Sequence, residues 1–116
     1  MLSDAVAPFD GFLASVLGQA QAEWSVVQDI SYQQLQDDQR TAYAAAYALV
    51  RVGNAIARYS RPLEIAYPDY SWVSWVDLRN NLAHQLSVLQ VDFVWEAISA
   101  SLPELIRTIT GEPTAP

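Results

Sequence analysis

From Gln33 to Tyr59 the chain runs without a proline and is rich in alanine. Alanine gives up no side-chain freedom on entering a helix, whereas proline breaks one, so this run is predicted to be one long helix, weakened near its start at Asp37-Asp38. Tyr43, Ala46, Tyr47, Val50, Asn54 and Ala57 recur every three or four residues as one face, and Leu49, Val52 and Ile56 widen the apolar side. A helix apolar around much of its girth belongs in the centre of a packed domain. Gly53 costs about 1 kcal/mol relative to Ala in an exposed helix, and a close crossing by a second helix would account for it.

The rest of the chain reads as shorter helices around this one. Ser3 or Asp4 caps a first helix with Pro8 in its opening turn; Phe9, Phe12, Leu13, Val16 and Leu17 form its stripe, and it runs to about Glu23. Trp24, Val26, Val27 and Ile30 then read as an irregular apolar connection. Arg61-Pro62 stops the long helix and Pro68-Asp69-Tyr70 makes a second break, leaving Leu63 to Tyr67 as a short turn or helical fragment. Ser71 caps the next helix, in which Trp72, Trp75, Val76, Leu78, Leu82 and Leu86 bury one side and leave Asp77, Asn80, Asn81 and His84 on the other. Trp72 and Trp75 could stack bases, but three apart near a helix start they are more often core. After a loop from Leu86 to Val91, Asp92 caps a short helix that turns Phe93, Val94, Ala97 and Ile98 inward. Ser101-Leu102-Pro103-Glu104 fits a capping box that opens a last helix through about Thr110, with Gly111 ending it and residues 112–116 as a loose tail. There is no strand alternation, internal repeat or linker. The expected fold is all-α, a single-domain antiparallel bundle of four to five helices over residues 1–116.

Composition narrows the function classes. A chain of 116 residues supports one core and is too short for two, and a 52% apolar content with four Trp and six Tyr is not that of a disordered chain. No apolar run approaches the ~20 residues of a membrane span, and no basic region precedes a hydrophobic stretch at the N-terminus, so no membrane is expected and a cytoplasmic location is the default. Without cysteine there is neither disulfide nor thiolate ligand, and one histidine per chain is too few for an ordinary zinc site; no metal or cofactor is expected. The net charge of −7 argues against a general nucleic-acid binder. All six basic residues are arginines: Arg40, Arg51, Arg58, Arg61, Arg79 and Arg107. Arg51 and Arg58, seven apart, share a helical face; if that face adjoins Arg79, a local positive groove exists inside an acidic molecule. Taken one at a time, each is an ordinary solvated charge.

The only histidine stands in Asp77-Leu78-Arg79-Asn80-Asn81-Leu82-Ala83-His84. Cleaving RNA through its own 2′-hydroxyl requires a proton to be removed, another to be supplied to the leaving oxygen, and charge on phosphorus to be stabilised. Imidazole, with an ordinary pKa near ~6.5, moves protons at cellular pH, and guanidinium grips phosphate oxygens in pairs. Arg79 and His84 are five apart and point ~140° from each other on a regular helix, whereas Asn80 and His84, four apart, share a face. Asn80 is thus placed to hydrogen-bond His84 or substrate, and Arg79 either curls round the helix or meets a His84 from a second copy. Taken alone, a lone histidine on a helix is more often a surface or hydrogen-bonded structural residue than a catalyst.

Arg79, a polar Asn80, three intervening residues and His84 resemble the signature of HEPN ribonucleases. Downstream, Val91-Asp92-Phe93-Val94-Trp95-Glu96-Ala97-Ile98 followed by Leu102-Pro103-Glu104-Leu105 resembles the tail of HepT-type toxins from MNT-HEPN toxin-antitoxin pairs. Upstream, Val52-Gly53-Asn54-Ala55 and Tyr67-Pro68 before Trp72 fit the same family. The resemblance covers roughly residues 40 to 107. It implies a HEPN-like bundle and a homodimer whose motifs face one another. It further implies metal-independent RNA cleavage with Arg79 on the phosphate, His84 moving protons and Asn80 positioning them, and an MNT-type nucleotidyltransferase antitoxin as partner. Some relatives act on transfer RNA, and no residue here selects it. The alternative is a catalytically inactive HEPN-type binding subunit that holds a nucleotidyltransferase, toward which the acidic balance and the missing lysine lean. One position departs from the pattern: relatives carry a Tyr two residues after the His as the acceptor of AMP from the antitoxin, and here the stretch is His84-Gln85-Leu86. Leucine has no nucleophilic oxygen.

Overall fold

The computed structural model describes residues 11–84 and 90–111, and every regular element in it is helical. Helix α1 is Phe12–Val27, α2 Tyr32–Asp37, α3 Gln39–Arg58, α4 Ser60–Ala66 and α5 Val73–His84. The last helix, α6, is continuous from Val91 to Thr110 and contains a π-helical turn at Ala97–Ser101. The all-α bundle anticipated from the sequence is thus what forms, with the two short helices α2 and α4 added to its long members. The expected cap at Ser3 or Asp4, Phe9, Leu86 and the 112–116 tail lie outside the described residues.

Helix α3 is the hub, lying against α1, α5, α2 and α6. Its buried residues are Ala42, Ala45, Ala46, Ala48, Leu49, Val52, Gly53, Ala55 and Ile56. This corrects the face chosen from periodicity: Tyr43, Tyr47 and Asn54 are exposed and Val50 and Ala57 half-buried, and of that set only Ala46 is in the core. Small alanines let neighbouring backbones come close, and the larger tyrosines point outward. Leu49, Val52 and Ile56 meet Val16, Leu63, Trp72, Leu102 and Leu105 in one continuous apolar core.

The weak point at Asp37-Asp38 becomes a break. Asp38 is extended (φ −124°, ψ 102°) and caps α3, its carboxylate accepting from the Arg40 N–H at 3.1 Å and the Thr41 hydroxyl at 2.9 Å. Ser31 caps α2 with a reciprocal capping box to Gln34. Three expectations at other helix ends are corrected. Helix α1 continues past Glu23 to Val27, absorbing most of the supposed irregular connection. The cap of α6 is Gln90 rather than Asp92, which lies in the first turn and accepts the Tyr32 hydroxyl; Phe93 stays partly exposed while Val94, Ala97 and Ile98 are buried. Ser101 opens no new helix, because it is itself helical and its side chain caps nothing. The π turn carries the chain past Pro103 instead: the Leu102 N–H reaches back five residues to the Ala97 carbonyl, and the widened turn relieves the clash a proline ring makes in a regular helix.

Candidate active site

Helix α5 presents its chemistry because its other side is nailed down. Trp72, just ahead of it, and Trp75 are buried, the Trp72 indole N–H donating to the Tyr67 carbonyl at 3.0 Å and that of Trp75 to the Tyr70 hydroxyl at 2.9 Å. Both are core residues and neither is free to stack a base. Leu82 is buried as well, while Asp77, Asn80, Asn81 and His84 are exposed, the division that the apolar spacing predicts. The helix starts at Val73, and the Ser71 carbonyl, accepting the Ser74 N–H at 3.3 Å, closes its first turn.

Gly53 brings α5 against α3. A Cβ at position 53 would stand 2.7 Å from Arg79 Cβ and 2.9 Å from the Trp75 carbonyl oxygen, so only hydrogen fits and the expected close crossing is present. The next residue, Asn54, then faces the guanidinium of Arg79, whose Nη1 donates to Asn54 Oδ1 at 3.3 Å. On the other edge Arg79 Nε and Nη2 both donate to Asn80 Oδ1, at 3.2 and 2.9 Å. A guanidinium has five N–H groups, so these three bonds leave one on each terminal nitrogen, as a paired contact to phosphate oxygens needs. Arg79 has no carboxylate partner among the described residues. Its charge is held in place by two neutral amides and is not cancelled.

His84, in the last turn of α5, has its Nδ1 2.7 Å from the Asn80 carbonyl oxygen. A carbonyl only accepts, so Nδ1 carries the proton and Nε2 is the nitrogen left for substrate, accepting when the ring is neutral and donating when it is charged. Asn80 therefore serves both residues, but not as the spacing suggested: its backbone carbonyl orients His84 and its side-chain amide orients Arg79. The Arg79 side chain is drawn across to α3 by its bond to Asn54. The sequence gives no direct sign that Asn54 meets Arg79; the glycine before it, demanding a close crossing, is the signal available.

No three His, Asp or Glu side chains among the described residues gather closely enough to hold a metal ion. A cavity of about 480 Å³ beside α5 is lined by Trp75, Phe93 and the carboxylates of Asp69, Asp77 and Glu104, and contains none of Arg79, Asn80 or His84. Three acids and no base make it hostile to a phosphate. No helix of the described residues is long and apolar enough to cross a membrane.

Residues 16–110 match the family described as "HepT-like: Ribonuclease HepT-like". Among curated proteins, the chain is 24% identical to "Putative RNase MJ1380" of Methanocaldococcus jannaschii over 84% of this chain and 90% of that one. It is 22% identical to "Putative RNase MJ0127" of the same organism, over 87% and 89%. No solved structure matches. With the family match running from the middle of α1 to the end of α6, and the Arg79, Asn80 and His84 cluster inside it, the chain belongs to the HepT-like ribonuclease family of HEPN type.

Proposed function

We propose that this protein is an endoribonuclease that cuts RNA without a metal, and that it is the toxin of a pair whose antitoxin is an MNT-type nucleotidyltransferase. The observation that carries the reading is the Arg79 guanidinium, held by Asn54 and Asn80 with its charge uncancelled, on the same helix as a histidine whose Nδ1 is bonded and whose Nε2 has no partner among the described residues. In the reaction, the 2′-hydroxyl oxygen attacks the adjacent phosphorus and the 5′-oxygen leaves. The product ends are a cyclic phosphate and a 5′-hydroxyl. His84 Nε2 takes or returns a proton, and the two N–H groups left on Arg79 stabilise the charge on the phosphoryl oxygens.

Arg79 and His84, five apart, diverge on one helix, and two copies related by a two-fold axis would let the His84 of one chain meet the Arg79 of the other. We infer a homodimer on that ground. The test is incubation of RNA with the purified chain in EDTA: cleavage leaving cyclic-phosphate ends is expected, and it is lost in His84→Ala and Arg79→Ala. The second reading, an inactive binding subunit for a nucleotidyltransferase, rests on the net charge of −7 and predicts tight partner binding with no cleavage by the unaltered chain.

A further inference from the structure

Helix α3 contains three arginines and no acidic residue, in a chain of net charge −7. Besides Gln39 and Ala44, its exposed residues are Arg40, Tyr43, Tyr47, Arg51, Asn54 and Arg58, and at ~100° per residue these fall within roughly 80° of arc, a stripe about 27 Å long. Arg40 stands beside the capping carboxylate of Asp38, and Arg51 is paired at 2.7 Å with Glu23, so each is partly offset. Arg58 has no carboxylate partner among the described residues. Tyr47 is 61% exposed, with the Arg51 guanidinium 5.7 Å from its ring centre and the rest of the ring open to solvent. The stripe passes through Asn54, which is bonded to Arg79, so the arginine face does adjoin the site.

We propose that this face of α3 is the track on which single-stranded RNA lies as it enters the Arg79 and His84 site, with bases stacking on Tyr47 and Tyr43 and phosphates meeting Arg51 and Arg58. The proposal rests on the ribonuclease reading above for the class of ligand. Aromatic rings interleaved with arginines are the chemistry of sequence-tolerant single-strand binding, because every base has a π face and every nucleotide a phosphate. At about 3.4 Å per stacked nucleotide the stripe holds up to about eight. A second copy of this chain is the less suitable occupant, since a two-fold pairing of the stripe sets its arginines against one another and α3 itself carries no acid to receive them. The track also explains how a chain this acidic binds RNA: the unfavourable charge lies elsewhere, including the carboxylate-lined cavity beside α5.

The test uses the His84→Ala protein, so that a fluorescent twelve-nucleotide RNA survives the measurement, and adds further substitutions to it. Tyr47→Ala is expected to weaken binding about tenfold and Tyr47→Phe to leave it near the starting value, as stacking requires. Arg58→Ala is expected to weaken binding several-fold and to reduce the slope of log Kd against log salt by about 0.7. Arg107→Ala, remote from the stripe in sequence, controls for overall charge and should change little. Unaltered affinity in both Tyr47→Ala and Arg58→Ala overturns the proposal. So does a fall in affinity that appears only together with loss of the dimer in light scattering, which would make the stripe an interface between copies. If the unaltered chain binds RNA along the stripe but cuts nothing, the cleavage reading fails while this one stands.

Discussion

Asn54 on α3 and Arg79 on α5, 25 residues apart, are joined by a hydrogen bond of 3.3 Å that fixes where the guanidinium points. The bond exists because Gly53 lets the two helices touch, and it leaves the arginine charged because an amide, unlike a carboxylate, cancels nothing. Asn54→Ala should therefore lower kcat/KM for RNA by about tenfold through a loosened Arg79, with helicity unchanged. In an Arg79→Lys background, which keeps a charge and a measurable residual cleavage but lacks the guanidinium that Asn54 holds, the same substitution should have little further effect. A double-mutant cycle checks this, and additive losses would show that Asn54 acts by another route.

Gly53→Ala tests the crossing itself. The added methyl meets Arg79 Cβ and the Trp75 carbonyl, neither of them the flexible end of a side chain. Overpacking of this kind costs about 1–3 kcal/mol, more than the helix propensity alanine restores, so urea unfolding should show a net loss of stability and RNA cleavage should fall with it.

The cap of α3 gives a pH dependence with a definite sign. The Thr41 hydroxyl, and with it the backbone N–H groups of Arg40 and Thr41, hold the Asp38 carboxyl below its ordinary value of 3.8. Its contribution to stability is complete above that value and is lost as pH falls through the lowered one. Asp38→Ala should be less stable than the unaltered protein at pH 7 in denaturant titrations. The gap should narrow as the pH is taken below 3.8.

Leu86 cannot accept AMP, so an antitoxin acting on this chain is expected to cover Arg79 and His84 and leave its mass unaltered. Of the tyrosines nearby in sequence, Tyr67 and Tyr70 are half-buried with hydroxyls already bonded, to the Ile109 carbonyl and to the Trp75 indole. Intact-mass spectrometry after co-expression with a partner nucleotidyltransferase checks this. A stable complex without added mass is the expected result; AMP on any tyrosine, the exposed Tyr47 above all, would overturn it.

Much of the site was legible in the sequence because helical spacing reports burial directly. The split of α5 into a tryptophan and leucine side and an Asp77, Asn80, Asn81 and His84 side follows from it, as does the demand of Gly53 for a close neighbour. What escaped were relations between helices. Nothing in the spacing joins Asn54 to Arg79, or the buried Glu23 to Arg51 28 residues away. On α3 the tyrosines give a stronger periodic signal than the alanines, yet tight packing favours the smaller residue: Leu49, Val52 and Ile56 are buried as their spacing predicts, while Tyr43 and Tyr47 face out. Around Pro103 the Ser101 and Glu104 pair fits a capping box, and the chain widens a turn of the helix there without ending it.

Pairing of Arg79 in one chain with His84 in another is measured directly by mixing two inactive variants. Arg79→Ala and His84→Ala proteins should each fail to cut RNA in EDTA. Unfolded together and refolded as mixed dimers, they should recover about a quarter of the unaltered activity, because half the dimers are mixed and each mixed dimer carries one intact pair. A mixture as inactive as its components, or either variant cutting at the unaltered rate, would contradict the account.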